Sequence, residues 1–247
     1  MNLRYVFRSL GPIDLRGLMR DDLLAWMVFM PFVIVALLRF GVPPLVARVF
    51  ELTGFDLGPY IPVLLAVYVV MMTPLIFGML VGFLLLEEKE DDTIRALQVS
   101  PLSLRGYLTY RIAAPTLLSL LLTPLLFPLT GLAEISLHGL FLLSAAAAPL
   151  APLLALFLAA FASNKVQGFA LMKGLGGVMM LPVLTYFIPG TWQLVFGVMP
   201  TYWPLWAYWS VEAGTGAGWI YALVGIVYQA GLIGWLARRL GWSLHRQ

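Results

Sequence analysis

Long apolar runs alternate along this chain with short polar breaks. Six runs are long enough to be read as membrane spans: Leu23–Phe40, Pro59–Leu86, Tyr107–Leu132, Leu140–Ala162, Gly168–Ile188 and Trp219–Leu236. A helix needs about 20 predominantly apolar residues to cross a hydrocarbon core about 30 Å thick. The runs are continuously apolar, unlike the ~10-residue alternating segments of a membrane β-barrel. The pattern predicts an all-α membrane protein with six transmembrane helices, both termini on the inner side. The second run, at 28 residues, would measure about 42 Å as a helix, so it tilts or extends beyond the bilayer. Prolines inside the runs (Pro62, Pro74, Pro115, Pro124, Pro128, Pro149, Pro152, Pro182) predict kinks.

Two polar stretches break the pattern. In Met1–Asp22, Leu3, Val6, Phe7 and Leu10 recur at helical spacing, with Arg4 and Arg8 between them. This predicts an amphipathic helix in the membrane interface, ended by Gly11-Pro12, with Leu15–Asp22 leading into the first span. The stretch has no apolar core of the kind that marks a cleavable signal peptide. The second is the dense charge cluster of Glu87–Arg111. Asp91–Val99 reads as a short helix, with Asp91 or Asp92 at its N-cap and Asp91–Arg95 as an i,i+4 pair. Ser100-Pro101 then opens a second helix, Pro being favoured at the first helical position. Its five acidic residues, Glu87, Glu88, Glu90, Asp91 and Asp92, meet Lys89, Arg95 and Arg105. The plainer reading of such a loop is a solvated surface; the functional one is a docking surface for a soluble partner.

Composition agrees with the pattern. The chain is 61% hydrophobic and 11% charged, against about 25% charged in a soluble domain. The Lys and Arg residues sort by topology. With the termini on one side, that side holds Arg4, Arg8, Arg16, Arg20, Lys89, Arg95, Arg105, Arg111, Lys165, Lys173, Arg238, Arg239 and Arg246; the other holds Arg39 and Arg48. The positive-inside rule makes the richer side cytoplasmic. This accounts for the net charge of +3 without nucleic acid. Cysteine is absent, which excludes disulfides, thiolate nucleophiles and Cys-based metal sites. His138 and His245 fall on opposite sides and no Ser sits in a G-x-S-x-G context, so no catalytic or metal-binding residue is expected. No G-x-x-x-x-G-K-[ST] loop occurs; any ATP is bound by another chain.

The charged stretch also carries a resemblance. Glu87-Glu88, then Thr93-Ile94-Arg95-Ala96-Leu97-Gln98-Val99-Ser100-Pro101-Leu102-Ser103, then Tyr107-Leu108, resembles the ABC-2 type permeases and looks closest to their fluoroquinolone-export branch. Pro200-Thr201-Tyr202-Trp203 is similar to a Pro-x-Tyr-Trp stretch of that superfamily. The resemblance implies six spans and a cytoplasmic coupling helix between spans two and three that inserts into a nucleotide-binding subunit. Two separate ABC ATPase subunits, with ATP and Mg, would serve two permease subunits, as a homodimer or paralogous heterodimer. Carried over to this chain, the coupling residues are Glu87, Glu88, Asp91, Asp92, Thr93, Ile94, Leu97, Ser100 and Pro101. Many members have Gly near position 92 or 93, where this chain has Asp-Asp-Thr. The N-terminal helix would pack beside the coupling helix. The whole chain, 1–247, would form a single transmembrane domain in a bacterial or archaeal cytoplasmic membrane.

No span carries a charge deep in its centre, which disfavours an ion or proton pathway and fits an apolar or amphipathic substrate. Met71, Met72, Thr73, Met179, Met180, Thr185 and Tyr186 are the candidate lining of a substrate path, methionine being an adaptable contact; ordinary helix packing is the competing reading. Gly174, Gly176 and Gly177 permit close helix contact. Residues 191–218 are rich in aromatics and broken by Pro200 and Pro204. They read either as an outer aromatic belt or as short re-entrant helices, with Pro200, Tyr202, Trp203 and Trp206 as an outer gate. The function expected is export of a hydrophobic or amphipathic, drug-like or lipid-like substrate by alternating access. The alternatives are a vitamin importer's substrate-capture subunit, which needs more polar groups in its outer half, and a membrane scaffold.

Overall fold

A computed structural model describes residues 3–91, 104–188 and 190–245, and every regular element among the described residues is helical. The helices are α1 (Leu3–Arg20), α2 (Asp22–Thr53), α3 (Gly58–Glu90), α4 (Leu104–Leu129), α5 (Leu137–Phe161), α6 (Lys165–Tyr186), α7 (Tyr202–Glu212) and α8 (Gly218–His245). Six of them, α2, α3, α4, α5, α6 and α8, are long and apolar enough to cross a membrane. They correspond to the six runs read from the sequence.

The bundle is built around α3 and α5, whose spanning windows are 83% and 72% buried against 28% or less for the other four. Glycine sets their separation. A Cβ on Gly78 would stand 2.4 Å from the Ala151 carbonyl oxygen, and one on Gly82 would stand 2.7 Å from Leu158 Cδ1 and 3.4 Å from Ala155 Cα. The i,i+4 spacing puts both glycines on one face, opposite the small Ala151 and Ala155. Apolar burial does not drive helices together in lipid, so close van der Waals contact of this kind carries the packing. The sequence pointed instead to Gly174, Gly176 and Gly177. A Cβ on any of these would meet nothing within 4 Å: Gly174 and Gly177 are exposed on the outside of this bundle, and Gly176 borders a cavity between α6 and α3.

Proline accompanies two irregularities in the helices. Pro74 offers no N–H to the Val70 carbonyl, and the turn before it, Ala66–Met71, widens into a π-helical segment. Pro149 interrupts α5 between Ala147 and Leu150. Two expectations are corrected. Gly11-Pro12 does not end the first helix: α1 runs through it to Arg20. Only the Arg8 carbonyl loses its donor, and buried Leu10 and anchored Asp14 hold the helix on either side. The break comes at Asp21, which is extended (φ −103°, ψ 107°) and caps α2 by accepting the Leu23 and Leu24 N–H groups at 3.0 and 3.2 Å. The first span's helix also continues past Phe40, through Pro43 and Pro44, to Thr53. It stops at Gly54 (φ +70°), whose N–H reaches the Phe50 carbonyl, the left-handed position that favours glycine.

Residues beyond α6 do not form an exposed belt alone. Trp192 is exposed, but Tyr202, Tyr208 and Trp209 are buried where α7 packs against α8, α5 and the π segment of α3. Trp206 Nε1 donates to Thr185 Oγ1 (2.8 Å), and Thr201 Oγ1 donates to the Met179 carbonyl (2.8 Å). The stretch before α7 differs: Thr191–Val198 has no buried residue, and Trp192, Leu194, Val195 and Val198 are exposed.

Candidate functional site

One end of the bundle is closed by a collar of ion pairs that joins α1, α3, α4 and α6. Its centre is Arg111, a guanidinium 1% exposed, about two turns inside α4. Arg111 Nη1 donates to Asp14 Oδ2 (2.8 Å) and Nη2 to Asp14 Oδ1 (3.1 Å), a two-pronged pair with α1. Nη2 also donates to Glu88 Oε1, near the end of α3. Tyr107 OH donates to the second Glu88 oxygen, and Tyr110 OH donates to Asp14 Oδ2 (2.7 Å). The Tyr107 and Tyr110 rings lie 5.4 and 5.5 Å from the guanidinium carbon, within cation–π range. The planar fork of arginine suits it to binding two carboxylates at once. Helical spacing makes this possible, because residues 107, 110 and 111 lie within one turn of α4 and face the same neighbours.

A second knot lies beside the first. Lys165, the first residue of α6, donates from Nζ to Asp21 Oδ2 (2.9 Å) and stands 3.1 Å from Glu87 Oε2. Its backbone N–H donates to Glu90 Oε1 (3.3 Å). Lys89 Nζ donates to the Ala162 carbonyl (3.0 Å) and the Ala159 carbonyl (3.4 Å), where a cation suits the C-terminus of α5. Asn164 caps α6 by accepting the Gln167 N–H (2.9 Å), and Gln167 Oε1 accepts the Ser163 N–H (2.9 Å). Asp21 therefore serves as both cap and ion-pair partner at the junction of α1 and α2. The Lys165 hydrogen bond holds its carboxyl below the ordinary carboxylate value; partial burial opposes this, and the Leu24 and Leu23 N–H groups reinforce it.

Of the sequence-predicted coupling residues, Glu87, Glu88 and Asp91 fall in this collar. Asp91 closes α3, its N–H donating to the Glu87 carbonyl. With Asp14, Arg16 and Arg20 they line a cavity of about 360 Å³ between α1 and α3. Asp92, Thr93, Ile94, Leu97, Ser100 and Pro101 lie outside the described residues. Asp14, Asp21, Tyr107, Tyr110, Arg111 and Lys165 were missed as site residues. The available signals were a lone carboxylate amid the arginines of the first helix and an arginine inside the third apolar run.

The candidate substrate-path residues are partly brought together. Met71, Met72, Met179 and Met180 line one cavity of about 90 Å³ with Met79 and Met172, so six of the chain's eleven methionines meet between α3 and α6. Thr73, Thr185 and Tyr186 do not line it. Thr185 donates to the Pro182 carbonyl (2.6 Å) and accepts from Trp206, while Tyr186 OH donates to the Pro59 carbonyl (3.0 Å). The outer-gate candidates cluster: the Tyr202 ring packs on Trp203 and Trp206, and the Pro200 carbonyl accepts from Gln229 of α8 (3.4 Å). Among the described residues no group of His, Cys, Asp and Glu side chains could hold a metal ion.

Comparison with known proteins gives this arrangement a family. A family model described as fluoroquinolones export permease protein Rv2686c-like matches residues 14–237. Two Mycobacterium tuberculosis proteins are similar over nearly their whole lengths. They are the fluoroquinolones export permease proteins MT2760 (strain CDC 1551 / Oshkosh) and Rv2686c (strain ATCC 25618 / H37Rv). Each is 31% identical over 233 residues, 94% of this chain and 92% of the relative. No solved structure matches the chain. The matched region takes in Asp14, Glu88, Arg111, five candidate spans whole and most of the sixth, and the chain belongs to the Rv2686c-like family of fluoroquinolone export permeases, multi-pass membrane proteins of export systems.

Proposed function

We propose that the chain is the membrane subunit of an ATP-driven ABC exporter, pairing with a second permease subunit and with two copies of a separate ATPase. It lies in the cytoplasmic membrane of a bacterium or archaeon, with the collar end and both termini in the cytoplasm. The observation that carries this reading is the Asp14–Arg111–Glu88 lock. Glu88 and Arg111 sit on the two helices that flank residues 92–103, where the coupling helix is expected. A push on that segment reaches α3 and α4 together, and through Asp14 it reaches α1. Two flexible tethers would dissipate such a push; a buried, multiply bonded ion pair transmits it.

Binding of ATP by the partner favours one of two arrangements of the spans because ATP binds those arrangements with different free energies. The methionine-lined cavity between α3 and α6 is the substrate path, its flexible thioethers accepting varied apolar and aromatic bodies. A fluoroquinolone-like drug, the cargo in the relatives' names, is the first substrate to try. The open glycine face of α6 suits contact with the second permease.

The test is co-purification of the chain with ABC ATPase subunits in nanodiscs, with ATP hydrolysis assayed for wild type, Asp91→Lys/Asp92→Lys and Ile94→Glu. The expected result is a stable complex that the charge reversal uncouples and Ile94→Glu prevents. A chain that binds no ATPase, or a complex indifferent to all three changes, overturns the proposal.

A further inference from the structure

A second cleft, of about 520 Å³, opens between α1, α2, α3 and α4. It lies on the face of α3 away from the methionines: Phe77, Leu80, Val81 and Leu84 point into it, whereas Met72, Leu75, Ile76 and Met79 line the other cavity. Its α4 wall is the i,i+4 stripe Tyr110, Ala114, Leu118 and Leu122, about 18 Å from end to end at 1.5 Å per residue. Phe29 and Phe32 of α2 face that stripe's apolar part. Among the described residues the cleft's lining is polar only at the collar end, where Asp14 and Tyr110 stand, and includes no basic side chain. Leu15 and Met19, both exposed, belong to its α1 side, and a Cβ on Gly11 would meet nothing within 4 Å. The cleft is therefore open along α1.

The gradient of polarity selects a kind of occupant. An apolar body about 18 Å long fits the wall, as any lipid tail does; the carboxylate adds a choice of charge. Arg111 divides its guanidinium between Asp14 and Glu88, and Asp14 remains 15% exposed after making its bonds; Arg16 and Arg20 line the neighbouring cavity, not this cleft. A charge at a low-dielectric surface attracts a cation and repels an anion far more strongly than in water.

We infer that this cleft is a loading site for amphiphiles with an apolar or aromatic body and a protonated amine, taken laterally from the leaflet at the collar end. The loading role rests on the exporter reading above and narrows its substrate class. The occupant's amine lies against Asp14 and its body along Phe29, Phe32 and Leu118. A ligand there touches the residue that ties α1 to α4, so loading and coupling share Asp14.

The test uses the intact chain in zwitterionic nanodiscs with two photoreactive probes of equal length, a diazirine-bearing dodecylamine and a diazirine-bearing dodecyl sulfate. Adducts are mapped by mass spectrometry. The expected result is labelling of Met19, Phe29 and Leu118 by the amine, about tenfold or more over the sulfate. Asp14→Asn removes that preference. Leu118→Trp fills the cleft and removes the labelling with the ion pair intact, which covers the case of an unstable Asp14 variant. Equal labelling by the two probes in wild type, or an amine preference that survives Asp14→Asn, overturns the inference. No ATPase is needed for labelling. A chain that shows the amine preference but joins no ATPase loses the exporter reading and keeps the site; one that joins the ATPase without charge preference loses only the site.

Discussion

Arg111 and Asp14 are 97 positions apart in sequence, yet they meet through two hydrogen bonds of 2.8 and 3.1 Å. The contact turns α1 from an appendage on the membrane surface into part of the collar. It also explains how a helix with Gly11-Pro12 near its middle stays continuous. The arginine is the largest fully buried side chain among the described residues, and its charge is tolerated there because carboxylates and phenols surround it.

Removing one member of a buried ion pair leaves the other charge unpaired, at a cost of about 3–5 kcal/mol. Arg111→Ala and Asp14→Ala should each lower the thermal stability of the purified chain markedly. The double variant should be less destabilised than the sum, since the pair is lost only once. Arg111→Lys should not rescue, because an ammonium cannot present a two-pronged fork. Thermal unfolding in detergent across this cycle checks all three; strict additivity would count against direct coupling.

Much of the bundle was legible in the sequence because hydropathy is a local property. Six apolar runs became six helices, and the methionines at 71, 72, 179 and 180 reached one cavity. What was not legible depends on pairing across the chain. Nothing near Arg111 says that residue 14 will face it. Nothing near Gly78 says that Ala151 will press on it while Gly174 faces open space. Gly11-Pro12 misled for the same reason, since its local signal to break was overridden by anchors on other helices.

Gly78 should be intolerant of any side chain. Its Cβ would lie 2.4 Å from a backbone oxygen, and backbone cannot swing away as a side-chain tip can. Gly78→Val should force α3 and α5 apart and destabilise the chain by more than the 1–3 kcal/mol typical of overpacking. Gly174→Val, facing open space in this bundle, should leave the isolated chain's melting temperature nearly unchanged. Parallel thermal scans of the two variants test this.

The Asp21–Lys165 clamp should depend on pH in one direction. Its bond to Lys165 keeps the Asp21 carboxyl below its ordinary value in the fold. A depressed carboxyl contributes stability that is full above its unfolded pKa, about 3.9, and is lost as pH falls through the lower, folded value. The clamp is therefore closed throughout the neutral range. Hydrogen exchange at residues 20–24 should be faster in Asp21→Asn than in wild type at neutral pH, and the two should converge only in strong acid. Convergence near neutrality would mean that the pair is not formed.

The collar's geometry makes a mechanical prediction, and the absence of cysteine makes it easy to test. If Asp14 and Glu88 both stay on Arg111 throughout the cycle, α1 and the ends of α3 and α4 move as one body. Gly17 and Leu84 face each other across α1 and α3, a Cβ on Gly17 lying 3.6 Å from Leu84 Cδ2. Gly17→Cys/Leu84→Cys, bridged by a short bifunctional thiol reagent, should then retain most of its partner-dependent ATP hydrolysis. The bridge adds a restraint where the ion pair already supplies one. Loss of that hydrolysis on bridging, with recovery when a cleavable reagent is cut, would mean that α1 slides along α3 in each cycle. Asp14 would then have to let go of Arg111 at a step of transport, and the pair would be a latch that opens, not a fixed strut.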